Sequence, residues 1–470
     1  MEFVPSPVES EYRGSRWLQR TVVDNGAEPE DIACRVRFPG IDPTKGTLHV
    51  NMHLLARRLL TRRLPGRRLP DHWRFDRRGL AIVGLAVAVL ASALGGAVGS
   101  VGAAPLTTDG PTAAGYAGRW LAAQVAPAGF VPDANGDPSP GATLATSLAL
   151  ATAGVDPATF DRTVAWLAGH VDDVTMPYGD VDPGQVGYLI MVGAAAGADP
   201  HSFGGVDLVT RLDSTLGAFE PGLYGVADPT YDGAFRQGVA ILGLEAATAV
   251  VPAAASDWLI SQQCGTGDPT IRGAWMAYRA PAQVCVAGDP ATYTGVDTNS
   301  TAMASEALST LGLSPTYDPF GYFDAVQNST GGWGYLAGTD DDPNSDALVI
   351  QALVAAGLSP VATPWVEASG TPLSSLLGFQ LGCDADPADQ GAFTFPGTGG
   401  TPNALATPQS VWGAMARSFP LTDVTFVAAP TPCLVPGTGS TSTDVTVFAQ
   451  SVAVTASPTE PISAAPAFTG

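Results

Sequence analysis

The hydrophobic positions between residues 110 and 420 follow a helical pattern that repeats along the chain. Four Ala/Leu-rich stretches each end in Gly, one spacer, Asp or Ser, and then Pro, at residues 154–157, 197–200, 312–315 and 357–360. Glycine takes the left-handed backbone that ends a helix, Asp or Ser caps the next helix, and Pro fits its first turn. The pattern predicts an all-α array of helical hairpins.

A second motif recurs inside these units. The segment 322–333 reads YFxxxQxxxGxW, and 258–263 repeats its first half as WLxxxQ. Looser versions give six units, which begin near residues 115, 160, 206, 255, 319 and 372. Each unit is expected to hold an outer helix, a glycine-rich turn and an inner helix of smaller residues.

The segment 322–333 resembles the QW repeat of the terpenoid-cyclase-like α/α toroids. The resemblance covers roughly residues 110–420 and implies an (α/α)6 toroid, in which six helical hairpins form two concentric helix rings. This fold carries cyclases, prenyltransferase subunits, thioester domains and cobalamin carriers, so the resemblance leaves function open.

Charge and composition divide the chain into four predicted regions. They are a basic arm at 1–77, an apolar signal or membrane segment at 78–104, the toroid at 105–433, and a Ser/Thr/Pro-rich disordered tail at 434–470. Residues 1–80 hold 15 of the 22 Lys+Arg against 10 of the 44 acids, a net charge of +5. The remainder has 7 Arg and 34 acids, a net charge of −27, which argues against a nucleic-acid partner because phosphates would be repelled.

The apolar segment predicts export. A basic flank, a long apolar run and small residues before Ala103 are typical of a cleaved signal peptide. An uncleaved anchor contacting the membrane through residues 80–101 is the alternative, and Arg77-Arg78 also resembles a twin-arginine signal. Because the arm is long for a signal peptide, it is either a cytoplasmic tail or the result of a start assigned upstream of Met52. We therefore expect a secreted or cell-surface protein.

Cysteine usage agrees with export. Apart from Cys34 in the arm, the chain has an even set of four: Cys264, Cys285, Cys383 and Cys433. In an oxidising compartment they are expected to form two disulfides. Of the three connectivities, pairing Cys264 with Cys285 and Cys383 with Cys433 is favoured, because each pair closes a local loop.

The acidic run at 340–342 is a candidate catalytic site. The resemblance places the cyclase D-x-D-D motif on residues 342–345, so that its central acid would be Asn344, which cannot donate a strong-acid proton. Asp340, Asp341 and Asp342 are then interpreted as a solvated turn and as a candidate calcium site. The body also has few aromatic residues to stabilise carbocations.

Two other activities of the fold are excluded by composition. A prenyltransferase needs a zinc site of Asp, Cys and His and a basic diphosphate pocket, which two histidines, seven arginines and no lysine in the exported part do not supply. A thioester domain needs its own Cys/Gln signature, and none of the four cysteines lies in one. No metal site is predicted from the cysteine and histidine residues of the exported part.

The stretch 294–315 resembles the "DT" and "AMA" inner helices of the cobalamin carriers. This resemblance implies that inner-helix starts line one mouth of the toroid and hold a corrinoid there through a set of polar side chains: Asp297, Thr298, Asn299, Asp342 and Asn344. Helix N-capping by Asp297 and Asp342 is the structural alternative. Because no β-rich lid domain follows residue 433, a lid would have to come from a separate protein, and a membrane uptake transporter is a further expected partner.

From the sequence we therefore expect an exported, non-catalytic toroid that binds a ligand or partner, with a corrinoid as the favoured ligand and no required cofactor. A terpenoid-cyclase-like lyase or isomerase is the alternative from another class. A structural protein of the cell envelope is the third hypothesis.

Overall fold

The computed structural model describes residues 107, 109–226, 233–280, 282–421 and 423–433. The predicted basic arm, signal or membrane segment and tail lie outside the described residues. Within the described part, no helix is both long and apolar enough to cross a membrane.

The described chain is helix-rich, with one two-stranded sheet. The helices and strands, in chain order, are α1 Gly110–Gln124, α2 Pro140–Ala153, α3 Pro157–Gly169, α4 Val171–Thr175, α5 Pro183–Ala195, α6 Leu208–Asp213, α7 Ala234–Ala246, α8 Ala253–Ser261, β1 Trp275–Met276, β2 Val296–Asp297, α9 Thr298–Thr310, α10 Pro319–Val326, α11 Pro343–Ala355, α12 Pro372–Leu377 and α13 Ala406–Ala414.

Six of these helices form a closed inner ring. Helices α2, α5, α7, α9, α11 and α13 each pack against the next, and α13 packs back against α2. Six further helices lie outside the ring, where α3, α6, α8, α10 and α12 each contact the inner helix that precedes them and α1 contacts α2 and α13. The α/α toroid-like architecture expected from the repeats is therefore observed in the described residues.

The inner helices are nearly buried on all sides, because their small residues allow close approach. At Gly187 of α5, an added Cβ would lie 2.5 Å from the carbonyl oxygen of Val239 in α7. At Gly243 of α7, it would lie 2.6 Å from the Cα of Gly187. These two glycines therefore set the distance between α5 and α7.

The repeated Gly and Pro motif is confirmed in part. All four glycines end helices in the left-handed conformation, with φ between 62° and 72° at Gly154, Gly197, Gly312 and Gly357. Only the first motif also begins a helix directly, where Asp156 caps α3 by accepting the N–H of Thr159. After the other three motifs the chain first forms turns, and the next outer helix begins later, at residues 208, 319 and 372. The prediction that a helix begins directly after each of these three motifs was wrong, because Pro also suits the turns that are found at these positions.

The segment 322–333 is a packed hairpin turn, as the motif predicts. Trp333 is fully buried, and its indole N–H donates to the carbonyl oxygen of Phe323 at 2.9 Å. Gly331 has φ 91° and lies against the backbone of Gly370 and Thr371, so that only glycine fits there.

A short two-stranded sheet immediately precedes helix α9. Strands β1 and β2 are antiparallel, with Trp275 opposite Asp297. The described residues contain two disulfides, Cys264–Cys285 and Cys383–Cys433, which is the favoured connectivity. They are compatible with an extracellular location.

Candidate functional site

Two aromatic side chains from inner helices that are not neighbours meet inside the ring. The rings of Tyr188 in α5 and Trp412 in α13 are 5.9 Å apart between centroids. Helix α2 lies between α5 and α13, and the outer helices α1 and α3 pack against α2. Because the outer side of α2 is occupied, the contact passes on its inner side, and both rings lie on the axial face of the toroid.

A carboxyl group joins them from a third inner helix. Burial first, and then the nearby charge of Glu306 in α9, raises the pKa of Tyr188. Helix α7 separates α5 from α9, so Glu306 also lies on the axial face. The ring of Phe419 packs edge-on against Trp412, with centroids 5.3 Å apart.

Residues 415–420, which we call the closing segment, connect these groups. The N–H of Phe419 donates to Oε1 of Glu306 at 2.6 Å, and the carbonyl oxygen of Phe419 accepts the hydroxyl of Thr310 at 3.2 Å. The side-chain amide of Gln351 in α11 donates to the carbonyl oxygen of Arg417 at 3.2 Å. The closing segment is thus attached to the carboxyl-terminal parts of α9 and α11. We call Tyr188, Glu306, Gln351, Trp412 and Phe419 the axial cluster.

Glu306 is held as a neutral acid. Its side chain is 0% exposed, Oε1 accepts one backbone N–H, and Oε2 is buried without a hydrogen-bond partner among the described residues. Burial raises its pKa to about 8, and the N–H of Phe419 opposes this rise only in part. At neutral pH the carboxyl therefore carries a proton, which Oε2 can donate. Such a group can act as a general acid.

Four carboxamide side chains lie nearer the amino-terminal ends of the inner helices. Each precedes a member of the axial cluster on its own helix by three or seven residues, the spacing that returns a helix to the same face. Seven residues correspond to a rise of about 10 Å. The carboxamides therefore lie between the axial cluster and the mouth of the ring that is formed by the amino-terminal ends of the inner helices. They are Gln185, Asn299, Asn344 and Gln409, all partly buried, and we call them the carboxamide set.

Three of the five residues predicted to hold a ligand come together at this mouth. Oδ1 of Asn299 accepts the hydroxyl of Ser345 at 2.9 Å, and the same hydroxyl lies 2.8 Å from Oδ2 of Asp342. Oδ1 of Asn344 is buried and has no hydrogen-bond partner in the part of the chain that the structure describes. Asn299 and Asn344 belong to the axial face, whereas Oδ1 of Asp342 accepts the N–H groups that begin α11.

The other two predicted residues point away from the axis. Oδ1 of Asp297 accepts the N–H of Ser300 at 2.7 Å and caps α9. Burial first, and then the charge of Asp297, raises the pKa of Tyr322 on the outer helix α10. Thr298 donates to the carbonyl oxygen of Gly334 at 2.8 Å. Burial also raises the pKa of Asp297 to about 7. Because this carboxyl caps α9, its role in the structure is to support the helical hairpin of α9 and α10. A ligand-holding role for the five residues stays a prediction.

The acidic run lies between α11 and the outer helix α12. Asp340 is exposed, and Asp341 accepts hydrogen bonds from Asn328, Thr330 and Ser375. Asp346 accepts the N–H of Trp333 at 2.7 Å, and burial raises its pKa well above the usual range.

These carboxyls therefore fix the turn around Trp333. Among the described residues, no group of three or more His, Cys, Asp or Glu side chains could hold a metal ion. The calcium site at Asp340, Asp341 and Asp342 stays a prediction without structural support.

Sequence reasoning missed Glu306. One signal was present: in "TNSTAMASEALST" it is the one charged residue of an otherwise uncharged inner helix. It also follows Asn299 by seven residues, so it shares the face of a predicted site residue. The sequence did not show which residues surround Glu306, since Phe419, whose N–H it accepts, lies 113 positions away.

Comparisons with known proteins give similarity of structure only. No protein-family model matches the chain, and no curated protein matches it. A variant of the type II terpene cyclase MstE from Scytonema, in complex with geranylgeranyl dihydroxybenzoate, is 13% identical with a TM-score of 0.44, covering 65% of this chain and 96% of its own. An inactive variant of the α-1,6-mannanase GH76A from Salegentibacter is 11% identical with a TM-score of 0.39, covering 66% and 99%. A protein from Actinoplanes is 14% identical with a TM-score of 0.39, covering 65% and 98%.

The site geometry corrects the functional expectation. The cyclase and the mannanase are enzymes with α/α toroid-type folds, and a resemblance to the cobalamin carriers is not shown. Asp297 and Asp342, which were expected to contact a corrinoid, accept backbone N–H groups at helix starts. The expectation of a non-catalytic, corrinoid-binding module is therefore wrong, and its enzymatic alternative is the better supported.

Proposed function

We propose that the protein is an enzyme that uses Glu306 as a general acid to isomerise or cyclise an alkene, as a terpenoid-cyclase-like lyase or isomerase. The observation that carries this proposal is the buried Oε2 of Glu306, which has no hydrogen-bond partner within the described ranges, on a carboxyl whose pKa is raised to about 8. Protonating an alkene requires an acid that is neutral at working pH and surrounded by a dry site.

The proton transfer is balanced without a further reactant. The O–H bond at Oε2 breaks, a C–H bond forms on the alkene, and the neighbouring alkene carbon becomes cationic. Loss of a proton from the product cation to the carboxylate restores the acid. Positive charge in this step is stabilised by aromatic faces, and Tyr188, Trp412 and Phe419 supply such faces beside Glu306.

Glycoside hydrolysis fits this site less well. Glycosidases use two carboxyls that face each other across about 5 to 9.5 Å. The pKa of Glu306 is raised by burial, and no other carboxyl among the described residues contributes to the shift. A single neutral acid with aromatic neighbours favours alkene chemistry.

The test is an assay of the full chain with linear polyenes that carry different end groups: squalene, a C20 polyprenyl alcohol and its diphosphate. Cyclised or isomerised products, detected by gas chromatography and mass spectrometry, are expected from the wild type. They should be lost in Glu306→Gln, which keeps size and hydrogen bonding but removes the acid. Glu245→Gln, on the neighbouring inner helix α7, is the matched control and should keep turnover.

The pH profile adds a second readout. Turnover should fall as pH rises through about 8, because the acid must be protonated to act. Full activity in Glu306→Gln, or an absence of product from every polyene between pH 5 and 9, would contradict the proposed function.

A further inference from the structure

Phe419 binds one face of α9 through both of its backbone polar groups. Its N–H donates to Oε1 of Glu306 at 2.6 Å, and its carbonyl oxygen accepts the hydroxyl of Thr310 at 3.2 Å. Glu306 and Thr310 are four residues apart, so their side chains lie on the same face of the helix, about 6 Å apart along its axis. One residue of the closing segment is therefore held at two points of α9, and one of these points is the acid.

Further contacts fix the backbone on both sides of this N–H. The amide of Gln351 in α11 donates to the carbonyl oxygen of Arg417 at 3.2 Å, and the ring of Phe419 packs edge-on against Trp412 in α13. The carbonyl oxygen of Arg417 precedes the N–H of Phe419 in the chain, and the one that Thr310 binds follows it. Because both are bound, this N–H cannot turn away from the acid without breaking a hydrogen bond.

The orientation of this N–H determines how Glu306 carries its proton. Oε1 accepts the N–H, so the proton of the neutral acid lies on Oε2. A hydrogen bond to the carboxylate also stabilises its charged form, and the N–H of Phe419 is what lowers the pKa of Glu306 against the effect of burial. If the N–H turned away, the acid would be weaker and either oxygen could carry the proton.

Other ionisable side chains around α9 do not account for the shift in the pKa of Glu306. The elements packed against α9, the closing segment and the opposite side of the axis carry eight such groups: Arg236, Glu245, Asp297, Tyr322, Asp324, Asp346, Arg417 and Tyr188. The shift comes from burial and from the N–H of Phe419. The backbone of the closing segment is therefore the neighbour through which the strength of the acid is adjusted.

We infer that Thr310 is a positioning residue for the acid, acting through the backbone of Phe419, and that Gln351 supports the same stretch of backbone from α11. This inference rests on the proposed function, in which Glu306 donates the proton on Oε2. The hydroxyl of Thr310 binds the closing segment and not the carboxyl itself. Its loss should therefore change the strength of the acid rather than the binding of substrate.

The experiment measures the coupling between Thr310 and Glu306 with a double-mutant cycle. Urea unfolding of the full-length protein is followed from pH 6 to 10 in the wild type, Thr310→Val, Glu306→Gln and the double variant. Thr310→Val keeps the shape of the side chain but removes its hydroxyl. It should raise the pKa of Glu306 by about 0.5 to 1 pH unit, because a hydrogen bond to the charged form is weakened.

The expected pattern depends on pH. In the protein with Glu306, the destabilisation caused by Thr310→Val should grow as pH rises from about 7 to 9, because the variant acid ionises later than the wild-type acid. In Glu306→Gln, the same substitution should cost an equal amount at every pH. A hydroxyl that only stabilises the fold would give a constant cost in both backgrounds.

Three further variants control the measurement. Thr310→Ser keeps the hydroxyl and should restore the wild-type pH dependence. Thr163→Val is the matched control, since the hydroxyl of Thr163, in the outer helix α3, also donates to a backbone carbonyl oxygen, that of Phe160, at 2.8 Å. Its cost should not depend on pH. Gln351→Met removes the other anchor and should raise the pKa of Glu306 in the same direction, so the inference can be tested even if Thr310→Val does not fold.

Turnover gives a second readout. The pH at which turnover falls should move upward in Thr310→Val by the same 0.5 to 1 pH unit, because the acid stays protonated to higher pH. At pH 7, kcat should fall about 3- to 10-fold, since a weaker acid protonates the alkene more slowly. KM should change less than about 2-fold, as expected for a residue that acts through the acid.

The results separate the inference from the proposed function. The same pH dependence of the Thr310→Val cost with and without Glu306, or an equal pH-dependent cost in Thr163→Val, would overturn the inference. If turnover depends on Glu306 but its pH profile is unchanged in Thr310→Val, the inference fails and the proposed function stands. If unfolding shows the coupling but no polyene is converted, the positioning role stands and the proposed function fails.

Discussion

The backbone N–H of Phe419 donates to the buried carboxyl of Glu306 at 2.6 Å, although the two residues are 113 positions apart. This bond occupies Oε1 and leaves Oε2 as the oxygen without a hydrogen-bond partner among the residues that the structure describes. It also attaches the closing segment to helix α9. The geometry of the acid is therefore set by the segment that follows the last inner helix.

Glu306 should make the stability of the protein depend on pH. Its pKa is 4.5 in the absence of the fold and about 8 in the folded protein. The folded state therefore holds a proton that the unfolded state has lost between these values, and the free energy of unfolding falls as pH rises from about 5 to 8. At about 1.4 kcal/mol per unit, the expected loss from this group is about 3–5 kcal/mol.

Urea unfolding at pH 5, 6, 7 and 8 measures this dependence. Glu306→Gln should show a smaller fall than the wild type, and Glu245→Gln should show the same fall. Some dependence should remain in Glu306→Gln, because burial also raises the pKa of Asp297, to about 7. A Glu306→Gln variant with the wild-type slope would mean that this carboxyl is not held neutral.

Asp346 should tolerate an amide but not truncation. Its Oδ1 accepts the N–H of Trp333, and its pKa is raised well above the usual range by burial. Asp346→Asn keeps a neutral acceptor, so its expected cost is below about 1 kcal/mol. Asp346→Ala leaves a buried N–H unsatisfied and should cost about 1–3 kcal/mol. Equal unfolding free energies for the two variants at pH 7 would argue against this role.

Trp333 should be a main packing residue of its hairpin. It is fully buried and its ring lies 6.3 Å from Phe323 and 6.2 Å from Trp365, between centroids. Trp333→Ala is expected to lower the free energy of unfolding by about 3–5 kcal/mol. The partly buried Trp166 is the comparison, and Trp166→Ala should cost less. Chemical denaturation of both variants decides the order.

Close packing between α5 and α7 should forbid a side chain at Gly187. Its Cβ would lie 2.5 Å from the carbonyl oxygen of Val239, so Gly187→Ala should destabilise the protein by about 1–3 kcal/mol. Gly141, in the first turn of α2, has no neighbouring atom within 4 Å. Gly141→Ala should therefore be neutral or stabilising by up to about 1 kcal/mol. Thermal unfolding of the pair gives a test in which the same chemical change has opposite signs.

The disulfides should differ in what they contribute. Cys264–Cys285 closes a loop of 21 residues and Cys383–Cys433 a loop of 50. From loop entropy, loss of the first should cost about 3 kcal/mol and loss of the second about 4 kcal/mol. Cys285→Ala and Cys433→Ala, compared by urea unfolding, test the order. Non-reducing peptide mapping checks the pairing, and four free thiols in the native protein would contradict it.

The sequence by itself determined the helical class, the hairpin repeat and the helix stops. These depend on local properties: small-residue periodicity, glycine at left-handed positions such as Gly154, and the Gly/Trp turn that buries Trp333. The favoured cysteine pairing was also local, since each pair closes a short stretch of chain. Helix starts were predicted less well, because Pro after Gly serves a turn as readily as a helix.

Only the tertiary structure decided which polar residues face the axis. Asp297 and Asn299 are two positions apart, but Asp297 is the extended residue that caps α9, whereas Asn299 lies in the first turn of that helix. Asp297 therefore supports the outer hairpin while Asn299 faces inward. Glu306 became notable only when ring closure brought Tyr188, Trp412 and Phe419 around it from distant parts of the chain. The raised pKa of a carboxyl comes from the water that its neighbours exclude, and the neighbours of Glu306 are set by the closed ring.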